Sequence, residues 1–346
     1  MGKAFTINGL GRIGRVATRV WWESHRNTLD LKLINTSGSM DLEGWVHLLK
    51  YDTSYGRFPG EITAKVQQTK DQISDENPLL GSLVIDGYEI PVTAQRDPAK
   101  LNWGNYAEIV IESTGAFRTK EKAQAYLQGG AKHVVISAPA KGGGVENGVL
   151  GVNSLNADEA LHSNASCTTQ CVAVTAQVMV KNFGVEKATL TTIHSYTDDQ
   201  RLQDNSHKDL RRARAAAANI VPTSTGAAKA TATVIPELEG LFDGMAVRTP
   251  TITGSLSDMV FLTKKATTVE EVNQVFKTAA NAEQWRGILG VTEEPLVSSD
   301  IIGRPESAIV DLSLTQVIDG NLVKVISWYD NEWGYCHRLI EQVAKI

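Results

Sequence analysis

Residues 7–15 read Ile7-Asn8-Gly9-Leu10-Gly11-Arg12-Ile13-Gly14-Arg15. A short apolar run over 3–8 leads into this stretch. A segment of helical periodicity over 13–23 follows it, with Ile13, Val16, Ala17, Val20 and Trp21 on one face. Three glycines in a strand-to-helix turn have separate physical uses. Gly9 permits the tight turn, Gly11 lets the backbone approach a pyrophosphate, and Gly14 lets helix and sheet pack closely. The helix N-terminus then faces phosphate charge. The stretch therefore predicts a dinucleotide-binding βαβ unit.

The surrounding pattern agrees. Strand signals at 31–34, 108–112, 132–137 and 149–152 alternate with helical segments at 42–49 and 120–128, and Asp86-Gly87 centres a hairpin over 83–92. Strands separated by helices predict a doubly wound, mainly parallel sheet of Rossmann type. The second half changes character. A helix over 168–183 stops at Gly184, and a β-branched strand runs over 189–194. A polar stretch without period fills 195–225. Alternating strands follow at 256–263, 308–317 and 322–328, the last two joined at Asp319-Gly320, with helices at 268–279 and 334–344. This predicts an α+β domain with a mainly antiparallel sheet. The fold class is thus α/β, a Rossmann-type domain followed by an α+β catalytic domain.

Composition excludes several classes. The 346 residues are 42% hydrophobic, which is globular rather than disordered. A formal charge of −5 argues against a nucleic-acid or membrane-surface protein as a whole. No apolar run approaches the roughly 20 residues of a membrane helix, and the first residues lack the pattern of a secretory signal. Three cysteines, Cys167, Cys171 and Cys336, make neither a disulfide framework nor a zinc pair, so a reducing, cytoplasmic location and no metal are expected.

The candidate chemistry lies in the second half. Ser166-Cys167-Thr168 opens a helix, where the dipole favours a thiolate nucleophile. Cys171, one turn on, and Cys336 read as core. His194 ends a strand; it is either a general base for the thiol or a hydrogen-bonded edge histidine. Residues 207–214 are a basic cluster with Thr225-Gly226 and Arg248 nearby, a set suited to phosphate oxygens.

Taken together the motifs identify a family. The sequence closely resembles the phosphorylating glyceraldehyde-3-phosphate dehydrogenases over essentially its whole length. The carriers are residues 7–15, 48–52 (Leu-Leu-Lys-Tyr-Asp), 163–169 (Ser-Asn-Ala-Ser-Cys-Thr-Thr), 194–197 (His-Ser-Tyr-Thr), 224–229 (Ser-Thr-Gly-Ala-Ala-Lys) and 328–335 (Trp-Tyr-Asp-Asn-Glu-Trp-Gly-Tyr). The resemblance implies that glyceraldehyde 3-phosphate is oxidised reversibly to 1,3-bisphosphoglycerate with NAD or NADP and inorganic phosphate, in glycolysis or gluconeogenesis. It implies Cys167 as nucleophile, through a thiohemiacetal and a thioester, and His194 as base. Ser166, Thr168, Arg212, Thr225 and Gly226 match the site for the attacking phosphate, and Thr197 and Arg248 the site for the substrate's phosphate. Asn8, Gly9, Gly11, Arg12, Ile13 and Gly14 match the pyrophosphate loop. Arg96, Thr114 and Ser137 fall at other cofactor contacts, and Asn331 resembles the residue that orients the nicotinamide. A homotetramer is implied, with the loop near 195–220 at a subunit interface. The implied domains are 1–166, completed by 330–346, and 167–329.

Three departures matter. Thr36 stands where NAD-specific members usually carry Asp, and Asn205-Ser206 where they usually carry Leu-Pro. An acid at the end of the second strand repels a 2′-phosphate; Thr36 and Ser37 do not. Both departures point to NADP, with Ser37 and Ser206 as the candidate 2′-phosphate contacts. Gln170 replaces the more usual Asn, and 71–81 looks like an insertion with no assigned role. Two other readings are an erythrose-4-phosphate dehydrogenase, against which Ser195-Tyr196-Thr197 counts, and a dehydrogenase-like chain that binds RNA or protein, supported only by the basic loop.

Overall fold

The strand that precedes the glycine turn, β1 (Lys3–Asn8), is central to its sheet, with Phe5 and Ile7 fully buried. The computed structural model describes residues 2–346. By packing, the chain divides into two compact units. The first runs to Gly148 and adds Leu155–Ala165 and Cys336–Ile346; the second comprises Val149–Ser154 and Ser166–Tyr335.

In the first unit, β1 pairs in parallel with β2 (Leu29–Asn35). A small hairpin, β3 (Tyr51–Asp52) and β4 (Gly56–Arg57), stands apart from the sheet. The sheet adds β5 (Ile62–Val66), β6 (Leu79–Ile85), β7 (Tyr88–Thr93), β8 (Ile109–Glu112), β9 (His133–Ile136), β10 (Glu146–Asn147) and β11 (Leu161–Ser163), in the order β10-β11-β9-β8-β1-β2-β7-β6-β5. Every pair from β10 to β7 is parallel; the β5, β6 and β7 pairings are antiparallel. β8 is buried at all four positions, as a strand covered on both faces must be. The β6–β7 turn has positive φ at both Asp86 and Gly87 (45° and 84°), the twist a two-residue hairpin needs.

Three helices belong to this unit: α1 (Arg12–Val20), α2 (Leu42–Lys50) and α3 (Lys120–Gln128). The helix expected over 13–23 does not run through. After Val20 the chain widens into a π-helical turn, Trp21–His25, which places the adjacent Trp21 and Trp22 both inside. Trp21 donates its indole N–H to Leu29 O at 2.8 Å. The strand expected over 149–152 is instead a turn. Val152 N–H bonds Val149 O at 3.0 Å, and the Asn153 side chain accepts from Val149 N–H at 2.9 Å, a local alternative to sheet pairing.

The second unit carries β12 (Val185–Ser195), β13 (Val221–Ser224), β14 (Phe242–Thr249), β15 (Ser255–Thr263), β16 (Leu289–Thr292), β17 (Ala308–Asp311), β18 (Gln316–Ile318) and β19 (Leu322–Tyr329). Their order is β13-β14-β12-β15-β19-β17-β16, with β18 beside β19. Pairing is mainly antiparallel, but β12–β14 and β16–β17 are parallel. The strand expected over 308–317 is broken by a 3₁₀ turn, Leu312–Leu314. Asp311 drives the break by accepting from the Ser313 N–H and hydroxyl. The helices are α4 (Cys167–Phe183), α5 (Ala227–Val234) and α6 (Val269–Ala280), the last started by a Thr268/Glu271 capping box. The final helix, α7, is Trp333–Lys345. α4 packs on the sheet and against α5, so nearly its whole surface is buried.

Candidate functional site

In the first unit the glycine turn is built as its spacing suggests. Gly9 has φ of 101°, a conformation that favours glycine. A Cβ on Gly14 would lie 1.9 Å from Gly9 O, so helix and strand meet there in contact that only glycine allows. A Cβ on Gly11 would meet nothing within 4 Å: that face is open. Gly11 is the N-cap of α1 and supplies no side-chain cap to the first turn. An open backbone face at a helix start fits a pyrophosphate. Arg12 turns its guanidinium away to Asp52, bonded at both nitrogens, and over the Tyr55 ring.

Beneath the turn lies a buried polar network that the sequence reading missed. Glu112, at the end of β8, accepts from Asn8 Nδ2 (3.1 Å), from the Tyr126 hydroxyl, and from the backbone N–H groups of Thr114 (2.8 Å) and Gly115 (3.0 Å). Burial raises its pKa against the pull of these donors. Asn8 in turn accepts from Asn35 Nδ2 at 2.6 Å, tying the ends of β1, β2 and β8 together. Thr114 is exposed, and Ser137 N–H bonds Glu112 O.

The turn after β2 corrects one expectation. Thr36 is buried; its hydroxyl donates to Thr93 O (3.1 Å) and accepts from Gly38 N–H (3.3 Å). It is consumed in shaping the turn and does not face solvent. Ser37 is exposed, hydrogen-bonded to Ser39 at 3.0 Å, and the exposed Arg96 bonds Ser37 O through Nε at 3.1 Å. A hydroxyl and a guanidinium stand at the end of β2.

In the second unit, Ser166 is the N-cap of α4 and accepts from Thr169 N–H at 3.1 Å, making Cys167 the first helical residue. Cys167 Sγ lies 3.4 Å from His194 Nε2, brought there by the end of β12. Tyr329, which carried no assigned role, orders this pair. Its hydroxyl bonds Thr168 and Thr192, each at 2.9 Å, and its ring meets His194 edge-on at 6.0 Å. The WYDN block signalled the position but not this use.

Electrostatics here differ from expectation. Burial pushes the Cys167 thiol up from its ordinary value; the charge of Arg248 pulls the other way and loses. Burial, then Arg248, lowers the His194 pKa to about 3. Both shifts favour the uncharged forms, a thiol and a neutral imidazole. Two groups also claim His194 Nδ1. Ser195 O, an acceptor, is at 2.7 Å, and Arg248 Nη1, a donor, at 2.8 Å. One nitrogen cannot serve both, so the tautomer that makes Nε2 a base is the one in which Nδ1–H points to Ser195 O.

The groups suited to phosphate are gathered but engaged. Thr197 donates to Asp199, and Arg212 pairs with Asp199 (2.5 Å) and Asp209 (3.6 Å) and bonds Thr223 and Ser224 O. Despite burial, the Thr197 hydroxyl and the Arg212 and Arg248 charges hold the Asp199 carboxyl below its ordinary value. Asp199 is thus a solvent-exposed anion among cations. Arg248 keeps a buried Nε with no partner. Thr225 and Gly226 start α5, where Thr225 accepts from Ala227 N–H at 3.2 Å. Asn331 is buried and accepts from Ser255 (2.7 Å) and Thr253 (3.3 Å), which orients its amide. Ser206 lies in the loop after β12, where its N–H bonds Asn205 Oδ1.

Comparison with known families decides the kinship. Residues 4–120 match the glyceraldehyde 3-phosphate dehydrogenase NAD binding domain, and residues 166–331 match the C-terminal domain of the same enzymes. The chain belongs to the glyceraldehyde-3-phosphate dehydrogenase family. It is 45% identical to the glyceraldehyde-3-phosphate dehydrogenase of Zymomonas mobilis over 100% of this chain and 99% of that protein. It is 48% identical to that of Streptomyces coelicolor, over 97% of this chain and 96% of the relative. It is 46% identical to glyceraldehyde-3-phosphate dehydrogenase 2 of Synechocystis over 98% of each. As expected of this family, the Gly9 turn, which fits a nicotinamide dinucleotide, lies within the first matched domain, and Cys167 and His194 lie within the second. Among the described residues no helix is long and apolar enough to cross a membrane.

Proposed function

We propose that this chain is a phosphorylating glyceraldehyde-3-phosphate dehydrogenase that accepts NADP. The observation that carries the reaction is the 3.4 Å approach of Cys167 Sγ to His194 Nε2 at the start of α4. With Nδ1–H held by Ser195 O, Nε2 takes the thiol proton. The thiolate adds to the aldehyde carbon, and the imidazolium returns its proton to the new oxygen, giving a thiohemiacetal on Cys167. His194 then removes the hydroxyl proton as the carbon is oxidised to a thioester. A nicotinamide, when bound, supplies the hydride acceptor for that oxidation. Inorganic phosphate attacks the thioester carbon and the Cys167 thiolate leaves, releasing the acyl phosphate. Arg248 and Thr197 are assigned to the substrate's phosphate; Ser166, Thr168, Arg212, Thr225 and Gly226 to the attacking one. The Thr168 hydroxyl already bonds Tyr329, so its backbone N–H at the helix start is the better donor.

For the cofactor, Asn8, Gly9, Gly11, Arg12, Ile13 and Gly14 form the pyrophosphate turn, with Thr114 and Ser137 flanking it and Asn331 assigned to the nicotinamide amide. Ser37 and Arg96 support NADP: a donor and a cation occupy the position where a carboxylate would repel the 2′-phosphate. Ser206 is assigned to the 2′-phosphate of a neighbouring copy's cofactor. Leu202, Leu210 and Ile220 are large apolar residues exposed on the same loop, which supports its burial in a homotetramer. The three cysteines are free thiols, in keeping with the cytoplasm.

Initial rates with glyceraldehyde 3-phosphate and inorganic phosphate, varying NADP and then NAD, test this. A kcat/KM for NADP at or above that for NAD supports the reading. A large preference for NAD overturns the cofactor assignment and leaves the reaction. Activity that survives Cys167→Ser overturns the thioester route.

A further inference from the structure

His25 and His337 are 312 residues apart in sequence, yet His25 Nε2 faces His337 Nδ1 at 3.4 Å. Glu341 follows His337 by one turn of α7, on the same helix face, with Oε1 3.9 Å from Nδ1. The donor atoms of the three side chains lie within 4.8 Å of one another. We propose that His25, His337 and Glu341 form a binding site for a borderline divalent cation of the Zn²⁺ class, which ties the turn after α1 to the C-terminal helix of the first unit.

The geometry admits a shared cation as readily as a long hydrogen bond. Two nitrogens each about 2.05 Å from a tetrahedral ion stand roughly 3.4 Å apart. Two imidazoles and one carboxylate are a donor set of the kind Zn²⁺ uses with an open fourth position. Arg338 Nη2 bonds Glu341 Oε1 at 2.5 Å. It fixes the carboxylate as an outer partner while its charge moderates cation affinity. The backbone supplies an independent sign. His25 ends the π-helical turn Trp21–His25, a rare element that recurs at functional sites and that here re-aims the end of the first helix. Cys336, next to His337, bonds Ile13 O at 3.7 Å and is not part of the set.

The test uses the full chain with Cys167→Ser, which removes the competing active-site thiol. Titration with Co²⁺ and Zn²⁺ is expected to bind one equivalent per chain. Bound Co²⁺ is expected to show visible d–d bands without a thiolate charge-transfer band, and Zn²⁺ to raise the melting temperature. In the same background, His25→Gln, His337→Gln and Glu341→Gln are each expected to weaken binding at least about tenfold and abolish the temperature shift. The dehydrogenase rate of the Cys167-containing chain should be unchanged by the same substitutions. Should His337→Gln fail to fold, His25→Gln, at a half-buried position, carries the test. Binding that is absent from the parent chain, or equal in the parent and the three variants, overturns the site.

Discussion

Arg248 directs Nη1 at His194 Nδ1 from 2.8 Å, the same nitrogen that must donate to Ser195 O for His194 to act as a base. A guanidinium so placed disfavours the imidazolium. With Cys167→Ser present to uncouple the thiol, Arg248→Gln is expected to raise the His194 pKa from about 3 toward its ordinary range, without reaching it, because burial is the larger cause. NMR titration of the imidazole reads this. An unchanged or lower value contradicts it. In the Cys167-containing chain the same substitution should raise KM for the phosphorylated aldehyde and lower kcat.

Acid should destabilise the chain through His194. Its folded pKa is about 3 against an ordinary value of 6.5. Between those values the unfolded state binds a proton that the folded state refuses. The stability contributed by the neutral histidine is therefore complete above 6.5 and lost as pH falls toward 3. The slope approaches about 1.4 kcal/mol per pH unit for this one group. Urea midpoints over that range are expected to fall less steeply in His194→Gln than in the parent.

Ser37 faces solvent beside Arg96, whereas Thr36 is sealed against Thr93. Ser37→Asp places a carboxylate at the end of β2. It should cut kcat/KM for NADP by about tenfold, roughly 1.4 kcal/mol, and spare NAD. Arg96→Ala should act in the same direction. Thr36→Val, which removes a bond inside the turn, is expected to lower stability and both cofactor efficiencies together. Steady-state kinetics with each cofactor separate the cases.

Glu112 accepts from Asn8, from Tyr126, from the hydroxyl and N–H of Thr114 and from the Gly115 N–H under the glycine turn. Glu112→Ala leaves Asn8 and Tyr126 buried without it, a loss of about 3 kcal/mol in unfolding free energy. Dinucleotide affinity is expected to fall as well, because Asn8 and Thr114 lose the anchor that holds the strand ends. Calorimetric unfolding and cofactor titration measure the two effects. A fully stable variant contradicts the network's role.

Local chemistry marks the features that the sequence alone determined. The glycine spacing at 9, 11 and 14, the helix stop at Gly184, the Thr268 cap and the two Asp-Gly turns are each set by neighbours within a few residues, so they are legible in the string. The same holds for the placing of Cys167 at a helix start and for the absence of an acid after the second strand. Only the tertiary structure decided the rest. Cys167 meets His194 because β12 ends beside the first turn of α4. Burial then reverses the thiol shift that the helix dipole alone suggests. Thr36 turns inward because β7 runs beside it, and Glu112 becomes an anchor because β8 ends below Gly9. The strand expected over 149–152 became a turn, and the helix after Gly14 ended in a π turn, because a nearby side chain or a pair of tryptophans outweighed propensity. The physical reason is common to all of them. Propensity and spacing act over a few residues, whereas desolvation, charge and hydrogen-bond partnership depend on groups brought together from far along the chain, as His25 and His337 are across 312 positions.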